Sequence, residues 1–110
     1  MKIFEVRASV ILFNMLVSLK KQRLFTTDKY FLLPANICPI VPAIFLKAKV
    51  NFDFLDVSLS SLCMDEGLLI ERVKVDKNVE GVLYVKTFGV VSESENLFKK
   101  IKKINNNIFL

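Results

Sequence analysis

Residues 30–56 read YFLLPANICPIVPAIFLKAKVNFDFLD, and two periodicities meet in them. Tyr30 to Leu33 forms a short apolar run that Pro34 stops, as expected of a strand. Asn36 is placed to cap a helix running to about Ala48, with Pro39 and Pro42 tolerated near its first turn or at a bend. Val50 to Val57 returns to the β-branched and aromatic content of a strand. Strand, helix and strand joined by short connections predict a βαβ crossover and a parallel sheet. Both strands are apolar on both faces, which suits a sheet covered on each side.

The same alternation continues outward. Ala8 to Lys21 is apolar nearly all round, as a helix covered on several sides would be. DEGLLIERVK (65–74) places acids at the start of a short helix and bases near its end, which the helix dipole favours. GVLYVKTF (81–88) predicts a third strand ended by Gly89, and Ser92 to Asn105 an amphipathic helix capped by Ser92 or Ser94. NIFL (107–110) opens a fourth strand. The expected fold is α/β, a partial and mostly parallel sheet with flanking helices over residues 1–110. A strand at the end of such a chain needs neighbours, so the sequence reads as a fragment.

Composition narrows the chemistry. One domain is the most that 110 residues hold, and 53% hydrophobic against 25% charged residues is not the balance of a disordered chain. The mean hydropathy of +0.43 is high for a small free-standing domain, whose large surface needs polar cover. There is no histidine, which removes Ser-His-Asp and Cys-His catalysis. Cys38 and Cys63 have neither CxxC spacing nor a histidine to complete a zinc site, so no metal is expected and a reduced, cytoplasmic pair is the reading. The apolar run from Ala8 to Leu19, interrupted by Asn14, falls short of the roughly 20 residues of a spanning helix. Glu5 before it and Lys20, Lys21 and Arg23 after it do not make a signal peptide. The net charge of +5 gathers in those bases and in Lys99, Lys100, Lys102 and Lys103. Such clusters are either a solvated helix face or a surface for nucleic acid or anionic lipid. The aromatic residues interleaved with glycine that a single-strand binder wants are missing, and no nucleic-acid partner is expected.

Taken in order, Pro34-Ala35-Asn36-Ile37-Cys38-Pro39, the strand from Phe52 to Asp56, SLSSLCMDEGLL (58–69) and KTFG (86–89) resemble the DegT/DnrJ/EryC1/StrS sugar aminotransferases. Their pattern is an apolar strand ending in Pro, a small residue with a Cys or aromatic, a helix, a strand ending in Asp, and a further strand ending in Gly. The resemblance implies pyridoxal 5′-phosphate as cofactor and a truncated piece of the large domain of fold-type I transferases. It also implies a reaction that moves an amino group from a donor such as glutamate to a keto-sugar nucleotide, in a homodimer. RASVILFNMLVSL (7–19) aligns with the family's phosphate-binding helix start, with Ala8 in the glycine place and Ser9 in the hydroxyl place. Ala8 departs from the family's glycine, and an ordinary helix start is the alternative for both residues. Cys38 takes the position that stacks over the pyridine ring, or is simply a small buried residue in a first helical turn. Asp56 is expected to end a strand and cap the next element, and Lys86 to be structural or peripheral. The family's cofactor lysine and the Asp that holds the pyridine nitrogen fall beyond Leu110. No catalytic residue is therefore assigned, and inactivity of the chain alone is expected. Two other readings stay open: a small basic α/β interaction module without enzymatic activity, and a flavodoxin-like domain of coincidental likeness.

Overall fold

A computed structural model describes residues 8–22, 28–85, 94–105 and 107–108. Helix α1 (Ala8–Lys21) precedes strand β1 (Tyr30–Pro34), helix α2 (Ile40–Ala48) and strand β2 (Phe52–Leu55). Helix α3 (Glu66–Val75), strand β3 (Val79–Val82) and helix α4 (Ser94–Ile104) come next. The three strands form one parallel sheet in the order β2-β1-β3. The expected α/β class and parallel sheet are thus found, and β1 is the central strand.

Alternation along β1 divides the core between two faces. Phe31 and Leu33 point toward α1 and α2, where they pack with Leu16, Ile44, Phe45, Ala48 and Val50. Leu32 points the other way, into a cluster with Leu69 and Val73 of α3 and Leu97 and Ile101 of α4. Every residue of β1 after Tyr30 is buried, which is the burial that a two-sided sheet demands.

The third strand starts two residues earlier than the apolar run suggests and ends at Val82. Leu83, Tyr84 and Val85 are in no strand, and residues 86–88 lie outside those described. Register explains the difference. The Tyr30 N–H donates to the Asn78 carbonyl at 2.9 Å, and β1 offers only five residues to pair against. Between Tyr30↔Val79 and Phe31↔Gly81 the register shifts by one residue, a bulge at Glu80. The bulge lets Val79 and Val82, three apart, both reach the α3/α4 cluster.

Other expectations shift at their ends. Helix α2 begins at Ile40 with Pro39 as its N-cap and no side-chain cap, so Asn36 does not cap it. Pro42 sits in the first turn, where its missing N–H has no intrahelical partner to lose. Strand β2 is shorter than Val50 to Val57: Val50 is a buried core residue outside it, and Val57 makes an isolated antiparallel bridge with Met64. Ser92 lies outside the described residues, and α4 starts at Ser94. At the expected fourth strand, Asn107 is in a turn and Ile108 is buried without strand pairing, while Phe109 and Leu110 lie outside the described residues. Among the described residues no helix is long and apolar enough to cross a membrane.

Gly81 is required by close approach. A Cβ there would run into the ring of Phe31, which is itself fixed edge-on against Phe45 at 5.4 Å. Gly81→Ala is therefore expected to lower stability by about 1–3 kcal/mol, the range for overpacking a core, despite alanine's lower backbone entropy. Denaturant melts of Gly81→Ala, Phe31→Leu and the double variant check this. The double variant should lose less than the sum of the singles, because the smaller side chain makes room.

Candidate functional site

Ligands of open parallel sheets bind beyond the carboxyl ends of the strands, so that edge is the place to look. Three segments meet it: the turn after β1 (35–39), the loop after β2 (56–65) and the start of α1. The first two leave directly from the strands. The third is placed by Lys20, near the end of α1, whose Nζ donates to the carbonyl of Lys49 at 2.8 Å, just past the end of α2. The last turns of the two helices are adjacent, and Leu12, Phe13, Leu16 and Val17 pack along α2. Helix α1 therefore runs in the same sense as α2, with its beginning toward the carboxyl edge.

Ala8 and Ser9 occupy that beginning, Ala8 exposed and Ser9 half-buried. The first turn of α1 holds no acid and its last turn carries Lys20 and Lys21, the charge order that leaves a helix N-terminus attractive to an anion. Cys38 is in the turn between β1 and α2 and is exposed, not buried as a first-turn packing residue would be. Its carbonyl accepts from the Val41 N–H at 3.0 Å, which starts the helix. A phosphate fits the chemistry of the α1 start, where first-turn N–H groups and the Ser9 hydroxyl are donors. The Cys38 turn presents an open wall on the same edge.

The loop after β2 is tightly bound to itself. Asp65 N–H donates to the Asp56 carbonyl at 3.0 Å, Ser58 N–H to the Cys63 carbonyl at 2.8 Å and Leu62 N–H to the Ser58 carbonyl at 2.8 Å. Buried Cys63 and Met64 anchor it below. The side-chain amide of Asn36 donates to the Leu62 carbonyl at 3.0 Å, tying this loop to the Cys38 turn. Leu62 is held at φ 59°, a left-handed conformation that a leucine adopts at some cost. Asp56 comes directly after the last residue of β2 as expected, but the side chain that caps α3 is that of Asp65, which accepts from the Leu68 N–H at 3.0 Å. The acidic residue nine positions on had the right offset from Leu68, a signal that the strand-ending Asp56 obscured. Lys86 lies outside the described residues.

At the opposite edge, polar side chains form a network with no counterpart in the expectations. The Tyr30 hydroxyl donates to Asp76 Oδ2 at 2.6 Å. Arg72 Nη1 donates to the Tyr30 oxygen at 3.3 Å and to Asp53 Oδ2 at 3.1 Å. It joins β1, β2 and the end of α3 at the amino ends of the strands, so its role is to fasten the crossover. The Tyr30 hydroxyl and the Asn78 N–H, which donates to Asp76 Oδ1 at 2.8 Å, hold the Asp76 carboxyl below the usual carboxylate range. Burial, then the Asp76 carboxylate, pushes the Tyr30 phenol up.

No protein-family model and no curated protein matches the sequence. Solved structures do match the fold. One is GDP-4-keto-6-deoxymannose-3-dehydratase with a trapped PLP-glutamate geminal diamine, at TM-score 0.74 and 20% identity over 93% of this chain and 26% of that one. A sugar aminotransferase, Spr1654 from Streptococcus pneumoniae in its PLP form, aligns at TM-score 0.67 and 15% identity over 89% of this chain and 24% of that one. The PLP-bound C-S lyase from Staphylococcus hominis aligns at TM-score 0.65 and 15% identity, over 88% and 26%. The chain thus has the fold of one part of these PLP-dependent enzymes and spans about a quarter of their length.

The network at the amino edge yields a signed pH dependence. Because the folded state holds Asp76 below its unfolded value, its stabilisation is complete above about pH 4 and is lost as pH falls through the folded value. The raised Tyr30 phenol acts at the other limb: its contribution is present below about pH 10 and is lost as pH rises through the folded value. Tyr30→Phe should cost about 1 kcal/mol at neutral pH, a typical net hydrogen bond, and should flatten the acid limb. Urea melts of both proteins across acid and neutral pH check this.

Proposed function

We propose that the chain is the N-terminal part of a DegT/DnrJ/EryC1/StrS-type, pyridoxal-phosphate-dependent aminotransferase acting on a keto-sugar nucleotide in the cytoplasm. The observation that carries the reading is the likeness, over nine-tenths of this chain, to a GDP-keto-sugar dehydratase at TM-score 0.74. The ordered run from Pro34 through Asp56 to the SLSS segment agrees with it. Bound pyridoxal phosphate supplies an electron sink for the carbon being aminated.

In this reading the start of α1 holds the phosphate end. The Ser9 hydroxyl and the first-turn N–H groups donate to it, and Ala8 stands where a glycine would allow closer backbone approach. Cys38 lines the face of the ring, at a turn that Asn36 fastens to the neighbouring loop. These residues bind and orient; none of them moves a proton or forms a covalent bond in the reaction. An amino donor such as glutamate, the keto-sugar nucleotide, the lysine that holds the cofactor and a second subunit belong to the intact enzyme. By itself the chain is catalytically inactive.

The reading predicts reversible binding of pyridoxamine 5′-phosphate, a probe that cannot condense with surface lysines. In an NMR titration of the 110-residue chain, shifts should centre on the amides of Ser9 and Cys38, and Ser9→Ala should weaken binding several-fold. Shifts spread over the lysine-rich surface of α4 instead would refute the placement. The DNA downstream of the Leu110 codon, read in three frames, tests the family independently. An Asp-x-Ala segment close by and a lysine-bearing segment further on are expected, and unrelated sequence in every frame would sink the assignment.

A further inference from the structure

The turn between β1 and α2 is pinned by backbone at both of its ends. Ala35 N–H donates to the Leu55 carbonyl at 2.9 Å, Ile37 N–H to the Pro34 carbonyl at 3.1 Å and Val41 N–H to the Cys38 carbonyl at 3.0 Å. Between these anchors stands Cys38, exposed and in no regular element. An asparagine just ahead of a helix ordinarily spends its side chain on the cap. Here α2 starts at Ile40 with no side-chain cap. The Asn36 amide donates instead to the Leu62 carbonyl at 3.0 Å, 26 positions along the chain.

The acceptor is held there at a cost. Leu62 has φ 59°, where a Cβ crowds the following carbonyl oxygen and glycine would sit freely. The loop around it leaves little choice. Leu62 N–H donates to the Ser58 carbonyl and Ser58 N–H to the Cys63 carbonyl, each at 2.8 Å, and Cys63 and Met64 at its base are buried. Strain of this kind persists only where the surroundings over-determine it, and it gathers at sites that must keep one geometry.

We infer that Leu62 and Asn36 are positioning residues for Cys38: the left-handed backbone at Leu62 aims its carbonyl at the Asn36 amide, and that contact sets the Cys38 turn. The inference rests on the reading of Cys38 as the residue along the cofactor ring. It adds that this wall of the site is placed from the loop after β2 rather than by a cap on α2. The Asn36 hydrogen bond is exposed and replaces one to water, so it acts on the placement of the turn and little on overall stability.

Amide exchange by NMR on the chain without ligand is the first test. Asn36→Ala, and Asn36→Asp, which sets an oxygen against the Leu62 carbonyl, should each speed exchange of the Ile37 and Val41 amides about fivefold, the factor for one lost hydrogen bond of ordinary strength. The Phe31 amide, bonded to the Asn51 carbonyl within the sheet, should be unchanged. Leu62→Val should have the same effect from the other loop, because a β-branched residue resists the left-handed region, whereas Leu62→Gly should have none. Added to Asn36→Ala, Leu62→Val should change Ile37 and Val41 no further, as befits two residues acting through one contact. A titration with pyridoxamine 5′-phosphate then reads the site itself. Asn36→Ala and Leu62→Val should weaken binding several-fold and shrink the shift of the Cys38 amide while that of Ser9 stays. If Leu62→Val leaves Ile37 and Val41 unaltered, if its effect adds to that of Asn36→Ala, or if Phe31 exchange rises in step, the inference fails. An unaltered chain that binds no pyridoxamine 5′-phosphate refutes the cofactor reading, and the exchange rates alone then decide whether Leu62 and Asn36 set the turn.

Discussion

The fold depends on burying strand β1 on both faces while pairing it on both sides. Phe31, Leu32 and Leu33 are nearly without exposure, and each needs a different neighbour. Phe31 and Leu33 require the α1/α2 layer and Leu32 the α3/α4 layer. The flanking strands must then supply backbone partners on either side, since buried amides and carbonyls left unpaired are costly. From this come the crossover sense of α2, the bulge at Glu80 and the absence of a side chain at position 81. The Phe31 ring takes the volume that a Cβ on residue 81 would need, so β3 can approach β1 only with a glycine there.

The two ends of the sheet are finished differently. At the amino ends, charged side chains lock the elements together: Asp76 and Asn78 close the end of α3, Tyr30 connects them to β1, and Arg72 carries the connection to β2. At the carboxyl ends the loop 56–65 is bound mostly to itself, and the Asn36 amide ties it to the turn that carries Cys38, while Cys38 and Leu59 are exposed. A parallel sheet gathers helix N-termini at its carboxyl edge. An anion is thus better received there than at the end stiffened by Asp53 and Asp76.

Much of this architecture was legible in the sequence, because long apolar runs of different period were separated by proline and charge. Helix α1 matches its expected bounds, and the pairing partners of β1 are both parallel as predicted. What the sequence hid was local and set by tertiary packing. The apolar stretch 81–85 offers no sign that pairing starts at Val79, since that register is fixed by the length of β1 and by the Phe31 ring. Asn36 has the composition of a helix cap, yet Pro39 and Pro42 delay the helix, leaving the amide free to reach Leu62 across twenty-six positions. The polar network at the amino edge spans residues 30 to 76, a separation that no local pattern announces.

Charge on α4 shows how the same residues change meaning once packing is known. As sequence, Lys99, Lys100, Lys102 and Lys103 beside Leu97, Phe98, Ile101 and Ile104 describe a basic amphipathic helix of the kind that lies on anionic surfaces. In the fold, Leu97 and Ile101 are fully enclosed in the α3/α4 cluster, with Phe98 and Ile104 packed against it and Tyr84 edge-on to Phe98 at 6.0 Å. Lys102 turns back to the carbonyl of Ile108 at 2.6 Å. The apolar stripe that membrane insertion would consume is already committed to the core. Extracting it would expose Leu32 and Val73, so binding an anionic surface through this helix would have to rest on the lysines alone, and their attraction is screened at physiological salt.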